Sequence, residues 1–212
     1  LKKRIDLLLF DKGLAPSRAR AQALILSGNV LVNDQPVTQA GTQVAEDAQI
    51  RIRGEEHPYV SRGGVKLAKA LDEFHVSTEH KTALDIGAST GGFTEVLLLR
   101  GAKKVFAIDV GHNQLDWKIR TDPRVVVHEK INARNMEFSL LGEKVDLIVA
   151  DVSFISLDKI FPAAAQFASA ETDWITLIKP QFEVGREGVG KGGIVRSEEA
   201  RLEAVERLTR FA

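Results

Sequence analysis

The chain has 212 residues, enough for one large domain or for an ordinary domain with a small companion. Its 44% hydrophobic and 27% charged residues are those of a globular protein and set aside disordered and collagen-like classes. Basic and acidic residues balance at 29 each, and the lack of cysteine excludes disulfides and thiolate metal sites and points to a reducing, cytoplasmic setting.

At the N-terminus, Leu7-Leu8-Leu9-Phe10 is too short for a signal peptide or a membrane span, so no membrane role is expected. The five histidines lack ligand spacing, so no metal is expected either. Ile5, Leu8 and Leu9 share one helical face. After Gly13 and the cap signal Ser17, a second face gathers Ala21, Leu24 and Ile25. Residues 29–33 and 49–53 alternate as short strands around the turn chemistry of Asn33-Asp34-Gln35-Pro36. Residues 1–53 carry eight bases against five acids, and Arg18 and Arg20 open the second helix, where guanidinium forks and free N–H groups favour phosphate. The expected organisation is therefore a small basic α+β head over 1–54, a linker over 55–60 containing Pro58, and a larger body over 61–212.

Within the body, a helix following Ser61-Arg62-Gly63-Gly64 is expected to bury Leu67, Ala70, Leu71 and Phe74. Strands are expected near 82–87, 104–109, 124–128, 145–150 and 173–178, with helical or loop segments between them, notably 91–100 and 156–170. Near-continuous apolar runs such as Val145 to Ala150 imply burial on both faces, hence a doubly wound, mostly parallel α/β sheet.

The segment Asp85-Ile86-Gly87-Ala88-Ser89-Thr90-Gly91-Gly92-Phe93 is a strand running into a glycine-rich turn that opens a helix, the place where such a sheet holds a nucleotide-like ligand. Asp109 ends the next strand, 24 residues after Asp85, suited to accept from ribose hydroxyls. Ser89 replaces the middle glycine of the dinucleotide fingerprint, and the Lys-Ser or Lys-Thr of a P-loop is lacking. Gly87-Ala88-Ser89-Thr90-Gly91 formally matches a hydrolase nucleophile elbow, yet no histidine follows His128 to complete a triad. Asp151 and Lys179 end the fourth and fifth expected strands and so reach the same sheet edge.

Three resemblances follow. Asp85, Gly87, Gly91, Gly92 and Asp109 are similar to the first motif of S-adenosylmethionine-dependent methyltransferases, which implies a cofactor site of residues 85 and 87–93, Asp109, Val110, Asn132, Ala133 and Asp151, with Asn132 at the adenine edge. The head, through Arg4-Ile5-Asp6, Gly13-Leu14, Ser17-Arg18, Ala21, Leu24-Ile25, Gly28 and Val32-Asn33, resembles the RNA-binding domain of the fourth small-subunit ribosomal protein. With Asp151-Val152-Ser153-Phe154-Ile155-Ser156 and Lys179-Pro180-Gln181-Phe182-Glu183, the whole chain resembles the TlyA family of ribosomal RNA methyltransferases, also labelled haemolysins. That resemblance implies ribosomal RNA or ribosomal subunits as partner and methylation of a cytidine 2'-hydroxyl. It also implies a catalytic set of Lys66, Asp151 and Lys179, with Lys179 as base or as electrostatic stabiliser, and RNA contacts from Arg4, Lys12, Arg18, Arg20, Arg62, Arg186 and Lys191. The family's closing glutamate belongs to a later strand, whereas this sequence ends at Ala212 in a helix, so the chain is expected to lack its last strands. The glycine-rich stretch 185–193 is expected to form an RNA-facing lid. A non-catalytic assembly factor is the alternative; a pore-forming role has no supporting apolar run.

Overall fold

The computed structural model describes residues 2–53 and 57–211, without the side chains of Arg186 and Phe211, so part of the expected linker lies outside the described residues. The chain divides into two compact units, Leu1–Glu56 and His57–Ala212.

The first unit contains β1 (Lys2–Arg4), α1 (Ile5–Asp11), α2 (Arg18–Leu26), β2 (Val30–Val32), β3 (Gln35–Val37), β4 (Gln43–Ala45) and β5 (Ile50–Ile52). Ile5, Leu8 and Leu9 of α1 pack against Ala21 and Ile25 of α2, as their spacing predicts, with Val30 and Val44 completing the core. The two expected strands pair antiparallel, Val30 opposite Ile52, and β3 returns beside β2 through Asn33 and Asp34, both in left-handed conformation. One pairing has no sequence signal: Lys2–Arg4 lies antiparallel to Gln43–Ala45, although Lys-Lys-Arg shows no alternation. Asp6, fully buried, accepts from both arms of Arg4, from Gln22 Nε2 and from the Leu7 N–H, and Arg4 above all holds its carboxyl down to about 2.

The second unit contains α3 (Arg62–Glu73), β6 (Thr82–Ile86), α4 (Gly92–Leu99), β7 (Lys104–Ile108), α5 (Trp117–Arg120), β8 (Val125–His128), β9 (Leu147–Ala150), α6 (Phe161–Ala164), β10 (Asp173–Thr176), α7 (Pro180–Glu183) and α8 (Glu198–Phe211). Five strands form one parallel sheet in the order β10-β9-β6-β7-β8. Side chains alternate across it. Ala83, Val105, Leu147 and Val149 face α3 and α4, whereas Leu84, Ile86, Phe106, Ile108 and Ile148 face α6 and Leu208 of α8. Each fully buried Leu or Ile contributes about 1.5–3 kcal/mol, so this double burial fixes strand register firmly.

One expectation is corrected. Phe74 leaves the apolar face of α3 and is 65% exposed, because the helix ends at Glu73 and His75 turns left-handed; Gly64, Leu67, Ala68 and Leu71 make the buried stripe. Segment 156–170, expected as helical or loop, is a run of short helical pieces. Pro162 cannot continue a helix from the preceding turn, so the chain runs as a 3-10 turn Leu157–Lys159, α6 and a second 3-10 turn Ala165–Phe167.

Candidate functional site

Register alone assembles the site. Ile86 lies opposite both Ile108 and Ala150, and Ile108 opposite His128, so the next residues, Gly87, Asp109, Asp151 and Glu129, stand in one row beyond the carboxyl edge. The sheet order reverses between β6 and β9, and the crevice at such a switch point is where an open α/β sheet takes its ligand.

Glycine is required in this row for two reasons. Gly87 has φ +86°, and a Cβ there would stand 2.8 Å from the Asp151 carbonyl oxygen. Gly91 caps α4 with φ +95°. Gly92 answers to space instead, since a Cβ would meet the Ser61 Oγ at 2.1 Å. The turn therefore lies close against both the Asp151 loop and the start of α3. A cavity of about 240 Å³ results, lined by Ser61, Gly63, Gly87, Ala88, Ser89, Thr90, Gly92, Phe93, Asp151, Ser153 and Lys179.

Carboxylates hold this turn from two sides. Asp109 accepts from the Ser89 N–H at 2.7 Å through Oδ2 and from the Gly111 N–H at 2.6 Å through Oδ1. Asp85 is completely buried; its Oδ2 accepts from the Thr94 hydroxyl at 2.6 Å, and its Oδ1 has no hydrogen-bond partner among the described residues. Burial pushes the Asp85 carboxyl up to about 7 against the Thr94 hydrogen bond, with smaller upward contributions from Asp151 and Asp109. A buried oxygen without a partner costs about 1–3 kcal/mol, which marks a group that awaits a donor.

Opposite the turn, Asp151 stands between two lysines. Lys179 Nζ lies 2.5 Å from its Oδ1 and Lys66 Nζ lies 3.6 Å from its Oδ2. Lys179 also donates to the Ser153 Oγ at 2.8 Å. The segment Pro180–Glu183 that follows is braced to the Asp151 loop by the Ser156 hydroxyl on Glu183 Oε2 (2.5 Å), the Leu157 N–H on Glu183 Oε1 (3.0 Å) and the ring pair Phe154–Phe182 at 5.1 Å. Lys66, Asp151 and Lys179, far apart in sequence, thus form one charge chain beside the glycine turn.

The remaining expected residues are placed as follows. Val110 is exposed beyond Asp109. Asn132 spends its Oδ1 on the Arg134 N–H, capping the turn Ala133–Asn135, and Ala133 packs against the sheet. None of the three lines the cavity. In the first unit Lys12, Arg18 and Arg20 are exposed while Arg4 is committed to Asp6. Ser17 caps α2 by accepting from the Arg20 N–H, directing the two arginines around the helix start. Arg62 and Lys191 are exposed; the Arg186 side chain lies outside the described residues. Sequence reasoning left Ser61, Gly63, Ser153 and Phe154 without roles, although all four sit in phrases it singled out. Glu129 was missed too: it accepts from His112 and from the Asn113 N–H, each at 2.8 Å, and from Arg120, tying the loop after β7 to the end of β8. Burial raises the Glu129 carboxyl, but these donors outweigh it and leave it below the ordinary range.

The donor set suits S-adenosylmethionine. The turn 87–92 offers close backbone and Asp109 has lone pairs left for ribose hydroxyls, while Asp85, completely buried and outside the cavity lining, stands behind the turn with one acceptor oxygen unpartnered among the described residues. Among the described residues no group of His, Asp and Glu is arranged to hold a metal ion, and no helix is long and apolar enough to cross a membrane.

Comparison with known proteins places these features together. The pattern of the FtsJ-like methyltransferase family matches residues 59–212, and that of the S4 domain matches residues 3–50. The 16S/23S rRNA (cytidine-2'-O)-methyltransferase TlyA of Mycobacterium tuberculosis is 45% identical over all 212 residues, which span 79% of its length. Hemolysin A of Brachyspira hyodysenteriae is 47% identical over 92% of this chain and 81% of its own. A hemolysin-named protein from Streptococcus thermophilus superposes with a TM-score of 0.75 at 42% identity, covering 100% of this chain and 78% of that one.

Proposed function

This chain belongs to the TlyA family of FtsJ-like methyltransferases with an S4 domain, and we propose that it moves the methyl group of S-adenosylmethionine to a ribose 2'-hydroxyl of ribosomal RNA, on cytidine. The observation that carries the reading is the Lys66–Asp151–Lys179 chain standing across a cavity from a glycine turn backed by Asp85 and Asp109. In this reading residues 1–54 engage RNA, 55–60 link, and 61–212 carry out transfer in the cytoplasm.

When bound, S-adenosylmethionine supplies a sulfonium methyl already activated for nucleophilic attack. The protein's part is to bring the acceptor oxygen into line, and well-oriented reactants gain about 7–11 kcal/mol. Lys179 does this. An ammonium paired at 2.5 Å with a carboxylate works as a hydrogen-bond donor to the acceptor oxygen, steering it and stabilising the charge that develops as its O–H bond weakens. The hydroxyl proton then passes to water. Asp151 orients Lys179, and Lys66 holds the other carboxylate oxygen. Phe154, 91% exposed beside this pair, presents an aromatic face for a nucleobase, the contact single-stranded RNA favours. Arg18 and Arg20 at the start of α2 supply phosphate contacts.

The test is methyl transfer from labelled S-adenosylmethionine to ribosomes and separated subunits, comparing the chain with Lys179→Ala and Asp109→Ala. The reading expects Lys179→Ala to lose turnover with cofactor binding kept, and Asp109→Ala to lose cofactor affinity. Unchanged transfer in both sinks the site assignment; RNA binding without transfer on any substrate favours an assembly factor.

A further inference from the structure

We propose that Ser153 is a positioning residue for transfer, the group that sets the direction in which the Lys179 ammonium points; this rests on the reading of Lys179 given above.

An ammonium has three N–H donors and rotates freely unless its partners fix it. Among the described residues Lys179 has two partners, and they differ in kind. Asp151 Oδ1, a carboxylate oxygen 2.5 Å away, holds the charge and gives the ammonium its first point of attachment. Ser153 Oγ, a hydroxyl oxygen, accepts a hydrogen bond from the same ammonium at 2.8 Å. One contact leaves the ammonium free to spin about the line to the carboxylate, and the hydroxyl is the second point that stops that rotation. With one N–H on Ser153 and one side facing Asp151, the third N–H is left for the acceptor oxygen. Ser153 and Lys179 both line the cavity, together with Gly87 and Ser89, so the third donor has the reacting space beside it.

The backbone is built to hold that hydroxyl. Phe154 adopts φ +63°, a left-handed conformation that residues other than glycine rarely take, and it turns the chain sharply just after Ser153. The turned-out Phe154 ring then packs on Phe182, three residues beyond Lys179, while Ser156 and the Leu157 N–H grip Glu183. These braces hold the two segments together independently of the Ser153 bond. Ser153 is thus not needed to keep the loop in place, and its hydrogen bond is free to act on Lys179 alone.

Steady-state transfer from labelled S-adenosylmethionine to intact ribosomal subunits tests this with Ser153→Ala, Ser153→Thr, Lys179→Ala and the double variant Ser153→Ala/Lys179→Ala, alongside calorimetry of cofactor binding. The expected result for Ser153→Ala is a fall in kcat of roughly tenfold, with KM for the subunits and cofactor Kd within about twofold of the parent. Ser153→Thr, which keeps the hydroxyl, restores kcat to within about threefold. In the Lys179→Ala background Ser153→Ala has no further effect, since there is no ammonium left to direct. An unchanged kcat in Ser153→Ala, a lost cofactor affinity, failure of threonine to restore turnover, or an effect that persists without Lys179 each overturns the inference while leaving the methyltransferase reading standing. No transfer by the parent chain overturns both.

Discussion

Asp85 is an ionisable group buried within a central strand among Ala83, Leu84 and Ile86, with one oxygen unpartnered among the described residues. Its carboxyl is raised to about 7, so the folded protein holds a proton there that the unfolded chain releases near pH 4. The folded state binds more protons across that window, and stability from this group falls as pH rises from about 4 to 7. Asp85→Asn is therefore expected to raise the thermal midpoint above pH 7, by the equivalent of about 2–4 kcal/mol, with little gain below pH 4, and to weaken cofactor binding; unfolding followed across pH checks the first and calorimetry the second. Lys179 carries the opposite signature. Lys179→Ala is expected to cost at least about a hundredfold in kcat, with stability within about 1 kcal/mol, because its ammonium aligns a reactant and packs no core. The placement of these residues was legible beforehand, Asp85 as a carboxylate two residues before a glycine turn, and Asp109, Asp151 and Lys179 as charged residues at expected strand ends. Ser153 was not, because a serine in a loop gives no signal until the fold brings a lysine 26 positions away to within 2.8 Å.

Elements explain why the reading succeeded where it did. The five strands and α3 were legible since burial on two faces, or on one helical stripe, leaves its period in the sequence. The β1–β4 pair and the end of α3 were not, since pairing of charged residues and local breaks depend on neighbours remote in sequence. The α3–α4 contact is the most sensitive joint. At Gly92 an added Cβ would meet not only the Ser61 hydroxyl but the Gly64 backbone nitrogen at 2.9 Å, and backbone cannot step aside as a side chain can. Gly92→Ala is expected to destabilise the protein by about 1–3 kcal/mol, measured by denaturant unfolding, and to weaken cofactor binding by displacing the turn. In the first unit, Asp6→Ala leaves Arg4 and Gln22 without their acceptor. Its expected cost is about 3 kcal/mol at neutral pH, falling off as pH drops from about 4, where the unfolded chain's Asp6 takes up its proton, through about 2, where the folded-state carboxyl does.

For the whole molecule, the proposed function divides labour between two units, with residues 1–54 to engage RNA and 61–212 to perform the transfer. Arg18→Ala with Arg20→Ala is expected to weaken binding to ribosomal RNA roughly tenfold and to lower its dependence on salt by about two phosphate contacts, leaving cofactor affinity intact. The central claim concerns the atom that receives the methyl group. A methylated 2'-oxygen cannot attack the neighbouring phosphate, so alkali leaves that linkage uncut. Ribosomal RNA labelled by this protein from methyl-labelled S-adenosylmethionine and then hydrolysed in alkali should yield its label in a dinucleotide with cytidine on the 5' side, and Lys179→Ala should yield almost none. Label released in mononucleotides, which marks methylation of a base, or equal labelling by the variant would contradict the account.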